Sequence, residues 1–189
     1  MTESVKHIPA RMFSTFVEHP LGIKFRGQHP QEEILLFLRK HWITNTGWVL
    51  VSFLLIIIPV FGLPFIDVID LLPPTTPFGY IIVGFAFWYL VTLGYILLNF
   101  LFWFYNVNII TTQRIVDVDF IYLLYNEISS TVIGNVEDVT YKRAGLLGSL
   151  FDYGNVFVQT AGSDPNIEFL SVPHPSTVSR IITGLLQRS

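Results

Sequence analysis

The chain has 189 residues, of which 51% are hydrophobic, 15% aromatic and 13% charged, with a net charge of −3 and no cysteine. Soluble domains carry about 25% charged residues, so this composition excludes a disordered chain, a coiled coil and a collagen-like fibre, and it points to a membrane protein. The missing cysteines exclude a disulfide scaffold, a thiolate nucleophile, an iron–sulfur cluster and a cysteine-ligated zinc site. The acidic balance gives no footing for nucleic acid.

Residues 1–29 read as loop, interrupted by Pro9, Pro20, Gly22 and Gly27. The stretch 30–41 opens with Pro30 and the acids Glu32 and Glu33, a helix-start pattern. Ile34, Leu35, Phe37 and Leu38 fall on one helical face, and Arg39-Lys40-His41 would complement the helix dipole. A short amphipathic helix is therefore predicted over 30–41, lying on the membrane surface or against the cytoplasmic domain. It belongs to a cytoplasmic N-terminal segment, 1–41. His41 reads as an interfacial residue without a metal partner.

The charges then disappear. In 48–66, 15 of 19 residues are apolar, and in 80–104, 21 of 25. A bilayer crossing needs about 20 apolar residues. Two transmembrane helices are predicted, at about 43–65 and 79–104, in a region 42–104 whose only charges are Asp67 and Asp70. Lys6, Arg11, Lys24, Arg26, Arg39 and Lys40 precede the first span, and the connecting loop has no basic residue. The positive-inside rule puts both termini in the cytoplasm, at the plasma (cytoplasmic) membrane. Trp42, Trp48, Trp103 and Tyr105 suit the headgroup layer. Ser52, Thr92 and Asn99 are the clearest polar groups in the spans, and Asn99 is expected to bond the other helix. No ionisable group stands at mid-membrane, where a proton relay or transport path would place one.

Beyond 105 the period changes to two. Residues 107–111 and an alternating strand at 116–122, joined through a tight connection at 111–114, read as a hairpin, with Asp117 and Asp119 on its solvated face. Further strands are predicted at 128–133 and 136–141, with a turn or bulge where Ile133, Val136 and Val139 are spaced by three. Residues 142–153 read as an apolar loop or one helical turn. Strands at 155–161 and 167–172 flank a tight turn at 162–166. Val178, Ile181, Ile182, Leu185 and Leu186 then repeat as one face of a terminal helix, which must cover a sheet.

Several segments together carry a resemblance. They are Asn108-Ile109-Ile110-Thr111-Thr112-Gln113-Arg114-Ile115, Ile133 to Val139, Phe151-Asp152-Tyr153-Gly154-Asn155-Val156-Phe157-Val158-Gln159-Thr160-Ala161-Gly162, Val172-Pro173-His174-Pro175, and the terminal helix. With the paired spans and the Glu32-Glu33…Arg39-Lys40-His41 element, the chain resembles the bacterial pleckstrin-homology-like (PH-like) domain family of small membrane proteins. The resemblance implies an α+β membrane protein: a two-transmembrane-helix hairpin followed, over 105–189, by a PH-like antiparallel β-barrel or sandwich with a C-terminal capping helix. It implies no substrate, because the fold hosts many functions.

Phosphoinositide recognition needs clustered Lys and Arg. Residues 105–189 hold five basic and eight acidic residues, and only Lys142 and Arg143 are adjacent, so specific phosphoinositide binding is not expected. Asp117 and Asp119 share a strand face, and Glu137-Asp138 are neighbours, but neither pair has a third ligand nearby. His174, between two prolines, is assigned to turn or cap structure. The glycines of 145–154 lack the lysine of a phosphate-binding loop, and the serines lack a nucleophile elbow. No catalytic, cofactor-binding or metal residue is assigned, and the chain is not read as an enzyme. The expected function is a membrane-anchored, non-catalytic interaction or scaffold module with a protein partner or a homo-oligomer. The alternative is a lipid-sensing or accessory subunit of a larger membrane or transport complex, with Leu146, Leu147, Leu150 and Phe151 dipping into the membrane.

Overall fold

A computed structural model describes residues 8–9, 13–23, 25, 27–68, 77–122, 125–143, 145–161 and 166–187. The chain divides into two units, one built from Met1–Thr44 and Phe102–Ser189, the other from Asn45–Leu101.

The elements of the first unit begin with β1 (Ile8–Pro9), β2 (Phe16–Glu18), β3 (Pro20–Leu21) and β4 (Ile34–Arg39). After the two long helices α1 (Thr46–Val68) and α2 (Phe78–Tyr105) come β5 (Val107–Thr111), β6 (Arg114–Tyr122), β7 (Tyr125–Val132) and β8 (Val136–Lys142). The chain finishes with α3 (Gly145–Leu150), β9 (Tyr153–Thr160), β10 (Ile167–Pro173) and α4 (Pro175–Leu186). A five-stranded antiparallel sheet has the order β2-β4-β5-β6-β7, and a three-stranded antiparallel sheet has the order β10-β9-β8. β1 and β3 form a two-residue parallel ladder.

The segment expected to be an amphipathic helix at 30–41 is instead the strand β4. It lies between β2 and β5, with Phe37 opposite Ile109 and Arg39 opposite Val107. Its apolar run serves two faces at once. Leu36 and Leu38 enter the core between the sheets, while Ile34 and Phe37 enter a second cluster on the other side. A continuous apolar run is what a strand buried on both faces requires, and over six residues it also fits one face of a helix. The described residues up to Thr44 fall within the β-rich unit.

The main core joins Leu36, Leu38, Ile110 and Ile115 of the larger sheet to Val156, Val158, Phe169 and Val172 of the smaller. Val178 and Ile182 of α4 close it, on the predicted amphipathic face. The second cluster sets Val17, Phe37, Ile109 and Val116 against Ile23 and Phe25 of the N-terminal segment. Covering both faces corrects another expectation. Asp117, expected to be solvated, is only 9% exposed and stands opposite the buried Asn108. The Asp119 side chain lies outside the described residues.

The β5–β6 hairpin forms as predicted, and a 3₁₀ turn at Ile133–Asn135 occupies the site of the irregular spacing. The short apolar segment is the helix α3. The return strands pair antiparallel, and their 162–165 connection lies outside the described residues.

The second unit holds the two helices, of 23 and 28 residues. The stretches Trp42–Gly62 and Phe78–Tyr105 are long and apolar enough to cross a membrane. Leu54, Phe61, Phe87 and Leu90 are among many exposed apolar side chains, while Ser52 and Thr92 are buried. Pro59 has no N–H, so the carbonyl of Leu55 loses its helical partner. The Trp88 indole N–H supplies one, at 2.9 Å. Asn99 was expected to bond across the helices. Its amide donates to the Tyr95 carbonyl of its own helix at 2.8 Å, because that acceptor one turn back is always within reach.

Candidate functional site

Three chain connections meet at one corner of the β-sandwich: the exit of β4, the α3–β9 turn, and the β10–α4 junction. The α3–β9 turn and the β10–α4 junction carry non-glycine residues with positive φ, Asp152 (49°) and His174 (49°), and β10 beside the β4 exit carries a third, Ser171 (53°). Asp and His tolerate this region better than most residues. Ser171 sits in the irregular register of β10, where its carbonyl accepts the His41 N–H at 2.8 Å and its N–H donates to Asn155 Oδ1 at 2.9 Å. β10 is thereby joined both to the end of β4 and to β9. Gly154 is obligatory nearby, since a Cβ there would lie 2.3 Å from the Lys142 carbonyl oxygen.

Asp152 is the hub of the corner's polar groups. Its Oδ2 lies 2.6 Å from His174 Nδ1, its Oδ1 lies 2.8 Å from Arg143 Nη2, and its carbonyl accepts the His174 N–H at 2.8 Å. The hydrogen bond from His174 is the main reason its pKa falls below the usual carboxylate value, with Arg143 adding to it. Arg143 also reaches Ser176 Oγ at 3.3 Å. His174 precedes Pro175 at the start of α4, and its carbonyl accepts the N–H groups of Thr177 and Val178. The predicted turn role of His174 is thus observed, and its side-chain contact with Asp152 is additional. His41 is buried and stacks on Tyr153 at 5.3 Å. Burial lowers its pKa, with the nearby His174 acting in the same direction. Its Nδ1 accepts the Ile43 N–H. An Asp–His pair can orient an imidazole for base chemistry, but here the neighbouring Ser176 hydroxyl is engaged by Arg143.

Beside this corner the surface is apolar. Leu146 is 91% exposed and Leu150 75%, and Trp42 rests edge-on against Phe151 with centroids 6.0 Å apart. Lys142 and Arg143 are both exposed at its rim; Lys142 lies over the Phe157 ring and Arg143 over Tyr141.

Two further constellations hold the N-terminal segment to the later strands. Glu32, with its side chain closed to solvent, takes both Nε and Nη2 of Arg114 at 2.9 Å, the Thr111 hydroxyl at 2.7 Å and the His29 N–H at 3.0 Å. The Arg114 hydrogen bonds outweigh burial and hold its pKa down at about 2. Arg39 is buried with its guanidinium 4.5 Å from the Phe104 ring centroid, 5.4 Å from that of Trp103 and 5.5 Å from that of Phe37. The Trp103 indole donates to the Lys40 carbonyl at 2.9 Å.

Sequence reasoning singled out Lys142-Arg143, His174 and the Leu146–Phe151 stretch, and the fold brings all three to one corner. It missed Asp152 as their hub and Glu32 as the partner of Arg114; the latter two lie 82 residues apart, beyond any spacing rule. Glu137 and Asp138 are exposed on β8. Among the described residues no group of three or more His, Asp or Glu is placed to hold a metal ion. Comparison with protein-family models and with curated proteins finds no match to the chain.

Proposed function

We propose that this protein is a membrane-anchored, PH-like module of non-catalytic function, displaying a β-sandwich at the cytoplasmic face for a protein partner or a second copy of itself. The observation that carries this reading is where the helices enter the chain. α1 and α2 are inserted between β4 and β5, two neighbouring strands whose ends pair at Arg39 and Val107. A sandwich interrupted there is tethered twice, by short connections leaving one end of one sheet. Asn106 alone separates α2 from β5. The length and exposed apolar surface of the helices support membrane insertion. The basic residues before α1 support cytoplasmic termini. Two antiparallel sheets on one core, closed by a C-terminal helix, support the PH-like fold, with β4 as part of it.

β8 is an outer strand with Glu137, Asp138, Thr140 and Tyr141 exposed, so strand addition there is the route we assign to the partner. A photoreactive residue at Thr140, activated in intact cells, should crosslink to a neighbouring chain or to a second copy. Absence of both products would remove the reading's main support. For orientation, a reporter active only outside the cytoplasm should be silent after Gln187 and active near Thr75; the opposite pair inverts the topology.

A further inference from the structure

We infer that α3 and Trp42 form an interfacial membrane contact, seated among lipid headgroups and upper acyl chains, in addition to the two helical spans. The inference rests on the reading of α1 and α2 as membrane-spanning. Its starting point is the way α3 is held. Gly148 is the one buried residue of this six-residue helix, and a Cβ there would come 3.0 Å from the Tyr153 carbonyl oxygen. The inner side of α3 is therefore backbone against backbone, with no room for a side chain. Leu146, Leu147 and Leu150 are turned outward as a consequence, at 91%, 56% and 75% exposure. Phe151 follows them and carries Trp42 against its ring.

Trp42 identifies the occupant. It opens the apolar stretch Trp42–Gly62 and stands four residues before α1 begins. If that stretch crosses a bilayer, its first residue lies at headgroup depth, where tryptophan is favoured. Phe151, in contact with Trp42 inside the β-rich unit, lies at nearly the same depth, and the three leucines continue the patch from it. The exposed cations Lys142 and Arg143 flank the leucines, as on helices that lie in a membrane interface. A protein partner could cover the same leucines, but only a bilayer is brought there by the chain itself.

The cysteine-free chain allows a direct test. Single cysteines at Leu146→Cys, Leu150→Cys, Val91→Cys and Glu137→Cys are labelled with an environment-sensitive fluorophore in the full chain. The protein is reconstituted into phosphatidylcholine–phosphatidylglycerol vesicles containing lipids with a nitroxide on the acyl chain. Leu146 is so exposed that its replacement leaves the fold undisturbed. The expected result is a blue shift and loss of most fluorescence at 146, 150 and 91, with position 137 unaffected. Quenching at 91 with 146 and 150 behaving like 137 overturns the inference and leaves the membrane anchor standing. Labels at 146 and 150 that are shielded from a water-soluble quencher yet untouched by the lipid nitroxide also overturn it, in favour of a protein cover. No quenching at 91 overturns the anchor, and the inference with it.

Discussion

In the β-sandwich Phe169, Leu36 and Ile110 are closed to solvent, whereas in the helical unit Phe61, Phe87 and Leu90 are 65–67% exposed. Polar groups differ in parallel. The sandwich pairs Glu32 with Arg114 across 82 residues, while Ser52, Thr92 and Asn99 each donate to the carbonyl four residues back in their own helix. One unit is organised by excluding water from side chains drawn from distant parts of the sequence. The other satisfies these three side chains locally, adds the Trp88 bond to the Leu55 carbonyl, and leaves its apolar surface outward, an arrangement suited to a lipid solvent.

The sharpest way to break this contrast is to remove β4. A fragment 105–189 lacks Leu36 and Leu38, each worth about 2–5 kcal/mol in a core against a total stability of about 5–15. It should show no cooperative unfolding in denaturant. Restoring 1–41 through a short turn in place of the helices should bring the transition back. Next in size is Glu32→Gln, which leaves Arg114 without its carboxylate and should cost about 3–5 kcal/mol at neutral pH. Because folding lowers the Glu32 pKa from its ordinary value of 4.5 to about 2, its contribution is complete above pH 4.5 and fades as the pH falls toward 2. Unfolding midpoints measured against pH should therefore show an acid limb in the native chain that is reduced in E32Q.

Paired substitutions sharpen the comparison further. Phe169→Ala should cost the sandwich about 3–5 kcal/mol, while Phe87→Ala should leave the same unfolding midpoint unchanged, since Phe87 is outside that core. Trp88→Phe removes the donor to the Leu55 carbonyl and should lower helix stability in lipid by about 1 kcal/mol, read as faster hydrogen exchange around Pro59. The smallest effect belongs to Asp152→Asn. The Asp152, Arg143 and His174 side chains there are each more than a third exposed, so less than about 1 kcal/mol is expected, read as a small shift of the unfolding midpoint.

The strands after 105 and α4 were legible because each repeats with its own period, the two long helices because their apolar runs are long and uncharged, and so was the irregularity at 133–135. β4 was not. Its acids mimic a helix start, yet Glu32 is a buried ion-pair partner and the apolar run feeds two clusters. Asp117 misled for a related reason: the N-terminal segment covers the face of Val116 and Val118, so Asp117 lies on the other face, with Ile115, toward the main core rather than toward water. At the candidate site, the leucines of α3 were visible as an apolar run. The Arg143–Asp152–His174 hub was not, because it depends on backbone turns at Asp152 and His174 that bring sequence-distant groups within 3 Å.

The insertion of both helices between β4 and β5 also sets a timetable for synthesis. The pairing of Arg39 with Val107 has to wait until the helices have been translated. At about 5–20 residues per second, β4 spends several seconds with Leu36 and Leu38 uncovered. The β-strand unit cannot close before the helical hairpin has left the ribosome, so, on the proposed reading of α1 and α2 as membrane-spanning, a defect in inserting the hairpin would leave the strands unfolded as well, and the two failures would arrive together.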